Sequence, residues 1–492
     1  MNSRQVETRY GAVEGYEKDG VLIWKNVPYA RVEGRFQPPK PPKAWTSVRE
    51  ATEFGPVAVQ TPAPGIFAAD KSDAQSEQCL NLNIWSPGID GPLKPVLLWI
   101  HGGAFVFGSG QSLWYDGTSF ASQSDVVVVT INYRLGALGF LSLEALAGAE
   151  YAGSGNAGFL DQAAALAWVY ENIQAFGGDP TRITVAGQSA GSMSVGVLLT
   201  MPSARPHIHQ AIMQSGAPFF KTKEEAHAIT QRFLSLLNLT PEQWPQLLEM
   251  PTEPLLAAQA KLELESALPW GPVIDGAMVP TSLVSAIEAG GTAGIPLLIG
   301  TTRDEFNLWG AMNPLWRTMP DEQMVTVFEH VAHGPIDERL SGLYLAGKSG
   351  IDLFAGLMTL ATDRIFWYPS ERVAEAQSQK APVWVYRFDW PSHAYGGTLG
   401  ACHAIEIPFV FNTIDVPGGA ALTGQSSERA PIAQFMHRAW SHYIRSGKPD
   451  GELWPPYSLP ERQTMIIDRH PRVVEDPKRQ ERELWDSVSY AT

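Results

Sequence analysis

Cysteine is nearly absent: Cys79 and Cys402 are the only two in 492 residues. So small a supply excludes a disulfide scaffold, and reduced thiols in a cytoplasmic protein are the simplest reading. Positive charge is also in deficit, with 36 Lys and Arg against 51 Asp and Glu, a formal net charge of -15. No basic patch interleaved with aromatics interrupts that balance, so nucleic acid is not an expected partner. An apolar run of about eighteen residues, long enough for a membrane span, occurs nowhere, and no membrane partner is expected. Met1 to Tyr10 carry no apolar core and begin in strand-like alternation, so no secretion signal is expected. Neither H-E-x-x-H nor a paired cysteine cluster is present, and no metal or other cofactor is expected. Linkers rich in Pro, Gly and Ser, charge runs and repeats are missing as well. Length alone would permit three domains, yet nothing separates them, so we expect one large domain over residues 1–492, acting as a monomer.

What is present is ordinary globular composition, 44% hydrophobic and 18% charged. Short strands of alternating polarity fill Val6 to Pro28. Near-continuous aliphatic runs then recur at Pro95–Ile100, Asp125–Thr130, Ile183–Ala186, Ala211–Met213, Ile295–Ile299 and Pro382–Phe388. Runs of this kind belong to strands covered on both faces. A helical pattern over Asp161–Ala175 places Leu166, Val169, Tyr170 and Ile173 on one stripe. Alternation of strand and helix predicts an α/β fold with a large, mostly parallel sheet, preceded by antiparallel strands. Residues 321–379 read as a helical flank or cap.

The most informative run is Phe176 to Gly191, which contains Gly187-Gln188-Ser189-Ala190-Gly191. G-x-S-x-G by itself is a weak motif. Here it follows an apolar strand and precedes a helical pattern carrying Val195, Leu198 and Leu199. That context is a nucleophile elbow, in which glycines on both sides let strand and helix approach and lift the serine hydroxyl from the sheet. A serine hydroxyl needs a base, and the base needs an orienting acid. In such hydrolases these follow in the order serine, acid, histidine. The exit of the Ile295–Ile299 strand offers Asp304 and Glu305. After the strand ending near Phe388 come His393 and His403, of which the loop position favours His403. The small residues of His101-Gly102-Gly103-Ala104 follow another strand end. Their backbone N–H groups, with that of Ala190, are candidate donors to an oxyanion.

With these residues placed, the sequence resembles the type-B carboxylesterases, the α/β-hydrolase family that includes bacterial para-nitrobenzyl esterases and the cholinesterases. Phe176–Gly191 resembles the family's active-serine signature. Glu77 to Pro87 resembles its second signature, with Gln78 where aspartate is usual. The resemblance implies Ser189, Glu305 and His403 as the catalytic triad, with Gly103, Ala104 and Ala190 as oxyanion hole. It also implies that Ser215 supports the acid and histidine by hydrogen bonding, and that Arg35–Glu77 and Arg134–Asp161 are structural ion pairs. The implied activity is hydrolysis of small-molecule carboxylic esters through an acyl-enzyme, with broad specificity. The same chemistry on amides, carbamates or acidic polyesters, and a non-catalytic adhesion-type relative, are the alternatives.

Departures from the family pattern refine the pocket. Cys79 matches half of a disulfide found in secreted members, and no cysteine precedes it. Between Thr61 and Gln78, Phe67 is the one aromatic where cholinesterases carry a choline-stacking tryptophan, so choline recognition is unsupported. Gln188 stands where glutamate is common; the exchange is either neutral variation or, through loss of that charge, makes the pocket more tolerant of anionic acyl groups. The stretch Ala267–Gly276 resembles an acyl-pocket loop, which makes Leu268 and Trp270 candidate substrate contacts. Phe105, Phe107, Phe306 and Trp309 flank the catalytic loops and are further candidates, with core packing the competing role for each.

Overall fold

The computed structural model describes residues 3–62, 74–266, 268–332, 334–449, 451 and 453–488. Among them 13 strands form one mixed sheet. In chain order these are β1 (Ser3–Thr8), β2 (Gly11–Lys18), β3 (Val21–Pro28), β4 (Arg49–Glu50), β5 (Asn81–Ser86), β6 (Lys94–Ile100) and β7 (Val127–Ile131). There follow β8 (Gly178–Gln188), β9 (Gln210–Gln214), β10 (Leu297–Thr302), β11 (Val383–Phe388), β12 (Gln463–Ile467) and β13 (Arg472–Glu475). The spatial order is β1-β2-β3-β5-β7-β6-β8-β9-β10-β11-β12-β13, with β4 beside β2. Antiparallel pairing runs from β1 to β7; β7 through β12 are parallel, and β13 closes the far edge antiparallel.

Each aliphatic run of the sequence lies in or beside a strand, because a strand covered on both faces has no polar side to show. All residues of β7 and β10 are buried. Boundaries move more than identities. Ile183–Ala186 lies inside an eleven-residue strand that runs on to Gln188, and Asp125 is a left-handed residue (φ 55°) ahead of β7 rather than part of it. Unanticipated is β5, fully buried yet carrying two asparagines. Their amides are satisfied internally: Asn83 Nδ2 donates to Thr130 Oγ1 at 3.1 Å and Asn81 Nδ2 to the Cys79 carbonyl at 3.0 Å.

Helices cover both faces. Helix α1 (Ala157–Asn172) packs Leu166 and Val169 inward, but Tyr170 is 42% exposed and lies against His207 instead of on the buried stripe. Helix α2 (Ala190–Thr200) follows β8 and is buried at every position. The expected helical flank includes α3 (Gly350–Thr362), a π-helical turn over Asp363–Trp367 and α4 (Tyr368–Ser378). Its apolar residues, with Phe306, build a hydrophobic cluster distinct from the two that line the sheet.

Both anticipated ion pairs are formed. Arg35 grips Glu77 through Nε and donates to the carbonyls of Leu247 and Met250. Arg134 meets Asp161 in a fork, Nε at 2.8 Å and Nη2 at 2.7 Å, with both side chains buried. Breaking one member of such a pair leaves an uncompensated buried charge. Asp161→Ala is therefore expected to cost about 3–5 kcal/mol of stability, read as a lowered urea midpoint.

Candidate active site

The side chains expected to act gather where parallel strands end. At the end of β8, Ser189 holds φ 58° and ψ -126°, a strained conformation for a residue with a side chain. Its N–H donates to the Gln214 carbonyl of β9 at 2.9 Å. The flanking glycines are obligatory by contact. A Cβ on Gly191 would lie 2.0 Å from the Ile100 carbonyl oxygen, and one on Gly187 2.4 Å from the carbonyl of Gly191. Strand, bend and helix thus meet too closely for any larger residue.

Glu305 sits three residues past β10, fully buried. Its Oε1 accepts the Thr302 N–H at 2.8 Å and its Oε2 accepts from His403 Nδ1 at 2.6 Å. Asp304, the other acid left open by the sequence, turns away. It accepts from the Ala401 N–H at 2.8 Å and pairs with Arg303, so it anchors the histidine-bearing loop without touching the ring. His393 packs against Trp390 instead. The rings of Trp309 and Phe366 lie 5.0 and 4.7 Å from that of His403. Because Nδ1–H is committed to Glu305, the lone pair of the neutral ring is on Nε2. That atom accepts from the Gln188 amide at 3.2 Å. Among the described residues no side chain bonds the Ser189 hydroxyl.

Opposite the elbow runs the glycine turn. Gly103, Ala104 and Phe105 are consecutively left-handed, with φ of 107°, 52° and 63°. The turn is held by Val106 and Phe107 N–H groups donating to the Gly103 carbonyl. Among the described residues the N–H groups of Gly103 and Ala104 have no backbone acceptor. Ala190 opens α2, so its N–H is one of the orphan donors of a helix start. Gly102 brings the turn against the elbow: a Cβ there would lie 3.1 Å from that of Ser189. His101 stacks on Tyr133, and burial pushes its imidazole down to about 4, so it adds no charge near neutral pH.

Behind the histidine the structure departs from expectation. Ser215 is buried beside β10, its N–H on the Gly300 carbonyl at 2.8 Å, but its hydroxyl has no hydrogen-bond partner. The bond expected from it to the acid is replaced by the Thr302 N–H. Glu406, which the sequence reading passed over, is fully buried three residues after His403. Burial and the neighbouring charge of Glu305 push its carboxyl up to about 8, which favours its protonated form. Its Oε1 accepts from Gln214, whose own oxygen accepts from Trp440 Nε1 at 2.9 Å.

The expected pocket residues divide. Trp309 stacks on Phe306 at 4.9 Å and covers the histidine, so this pair belongs beside the site. Phe105 is 2% exposed and packed edge-on against Phe140 and Phe159; it is core. Trp270 is likewise buried, against Phe233, with Nε1 donating to Glu263 at 3.3 Å. Phe107 and Leu268 are half-buried, and Phe67 lies outside the described residues. Phe366 was not anticipated. It reaches the histidine only because the π-helical turn carries it inward, a feature without a sequence signature.

A mixed sheet whose parallel strands carry an elbow serine, a buried acid–histidine pair and free backbone donors defines an α/β-hydrolase. The chain belongs to the carboxylesterase family, whose model matches residues 2–485. It is 38% identical to a para-nitrobenzyl esterase of Bacillus subtilis, over 98% of each chain. It is 34% identical to a phenmedipham hydrolase of Pseudarthrobacter oxydans, over 94% of each. Among solved structures, a carboxylesterase of Geobacillus stearothermophilus superposes with a TM-score of 0.88 at 43% identity, covering 98% of this chain and 99% of that one. The chain is accordingly a serine carboxylesterase that hydrolyses carboxylic esters.

Proposed function

We propose that Ser189 attacks the ester carbonyl while His403 accepts its proton at Nε2. Glu305 holds the ring in the required tautomer and compensates the charge of the imidazolium. The N–H groups of Gly103, Ala104 and Ala190 receive the oxyanion, and each such donor is worth about 10²–10³ in turnover. His403 then protonates the leaving alcohol. Water enters, gives its proton to the same nitrogen and attacks the acyl carbon; as the acid departs, His403 returns that proton to the Ser189 oxygen. The observation that carries this reading is the 2.6 Å bond from His403 Nδ1 to a fully buried carboxylate beside the elbow.

The substrates we infer are small to medium neutral esters, taken broadly, because aromatic rings flank the histidine and an apolar wall separates acyl lengths by only about 1–3 kcal/mol per methylene. Monomeric action as one catalytic unit is part of the same proposal. Two free, buried cysteines suit a reducing, cytoplasmic compartment. Rapid mixing with p-nitrophenyl butyrate should give a burst of one p-nitrophenol per chain, and an organophosphate should abolish both burst and turnover. Linear release from time zero, with activity surviving the organophosphate, would remove the acyl-enzyme.

A further inference from the structure

We propose that Gln188 is a positioning residue for the base, its amide latching the imidazole of His403 in the neutral form. The proposal rests on the reading of Ser189 and His403 given above. Gln188 Nε2 lies 3.2 Å from His403 Nε2, and both residues are buried, at 3% and 4% exposure. With Nδ1–H given to Glu305, Nε2 presents only a lone pair, and only a donor fits against it. An amide supplies that donor. A carboxylate, common at this position in the family, cannot; it would instead accept from the protonated ring.

The groups around the ring sharpen the contrast. Among the described residues Glu305 is the one carboxylate in ion-pair range of the imidazole. Glu406 is buried near Glu305 and bonds Gln214, and Trp309 and Phe366 supply uncharged rings beside the imidazole. A bond to the neutral form resists protonation, whereas a second carboxylate would invite it. The latch thus holds the Nε2 lone pair of the neutral ring, and it opens when Ser189 delivers its proton.

The test is the pH profile of kcat/KM for p-nitrophenyl butyrate in the wild type, Gln188→Met and Gln188→Glu. The acid limb should move to higher pH in the order wild type, Met, Glu, with the Glu variant displaced by about one unit or more. The same order should hold for the rate of organophosphate inactivation, which needs no deacylation and is measurable in slow variants. A residue that merely fills space would lower the plateau of Gln188→Met and leave its limb in place. A Glu variant whose limb stays or moves down overturns the latch, as does a Met limb at or below the wild type. Should the Met variant fail to fold, Gln188→Leu, which also lacks the donor and adds no charge, is read for the same limb in its place. An active Ser189→Ala enzyme would instead overturn the underlying reading.

Discussion

Ser189→Ala should lower kcat by roughly a millionfold, the scale seen when the nucleophile of a serine hydrolase is removed. The geometry explains why so little would remain. Ser189 alone is lifted by the left-handed bend at the end of β8, and the glycine turn at Gly102 packs against that point. Without the hydroxyl, only the proposed backbone donors and binding would remain to favour reaction. His403→Ala should cost about as much, and the double variant no more than either single one, because the two residues act as a unit. Single-turnover kinetics with p-nitrophenyl butyrate would measure all three. Additive losses would mean that serine and histidine work independently.

Glu305→Gln is expected to lower kcat by about ten-thousandfold, with KM little changed. The fold would tolerate it: the Thr302 N–H can still bond the amide oxygen. The amide nitrogen, however, would then donate to His403 Nδ1. That puts the ring proton on Nε2, the nitrogen that must receive the serine proton, and removes the charge that offsets the imidazolium. Asp304→Asn is the control. It loosens the loop bond to Ala401 without reaching the ring, so a much smaller effect is expected. Equal losses in the two variants would return the acid to the ambiguity it has in the sequence.

That ambiguity shows where sequence reasoning stops. Asp304 and Glu305 are neighbours with similar chemistry, and only the direction of each side chain after β10 separates them. The elbow was legible because contact with Ile100 forces glycine at fixed spacing, a constraint written directly in residue types. His403 was legible from its loop, although His393 differs from it only in where it lands. Strand β5 was hidden because its asparagines look polar until Thr130 and Cys79 are seen satisfying them. The pocket was least legible. Phe105 and Trp270 read the same whether they face substrate or core, and packing alone assigns both to the core. Phe366 is the converse, an unremarked aromatic brought to the histidine by an irregular helical turn.

The three side chains proposed to react leave the sheet at separate strand ends, after β8, β10 and β11, with long stretches of chain between them. Those stretches can lengthen, shorten or exchange residues while the strands keep the reactive atoms in register. Selection can therefore remodel what enters the cleft without re-inventing how it is cut. Such modularity gives one scaffold many diets, and it ties the choice of ester to the least constrained parts of the chain.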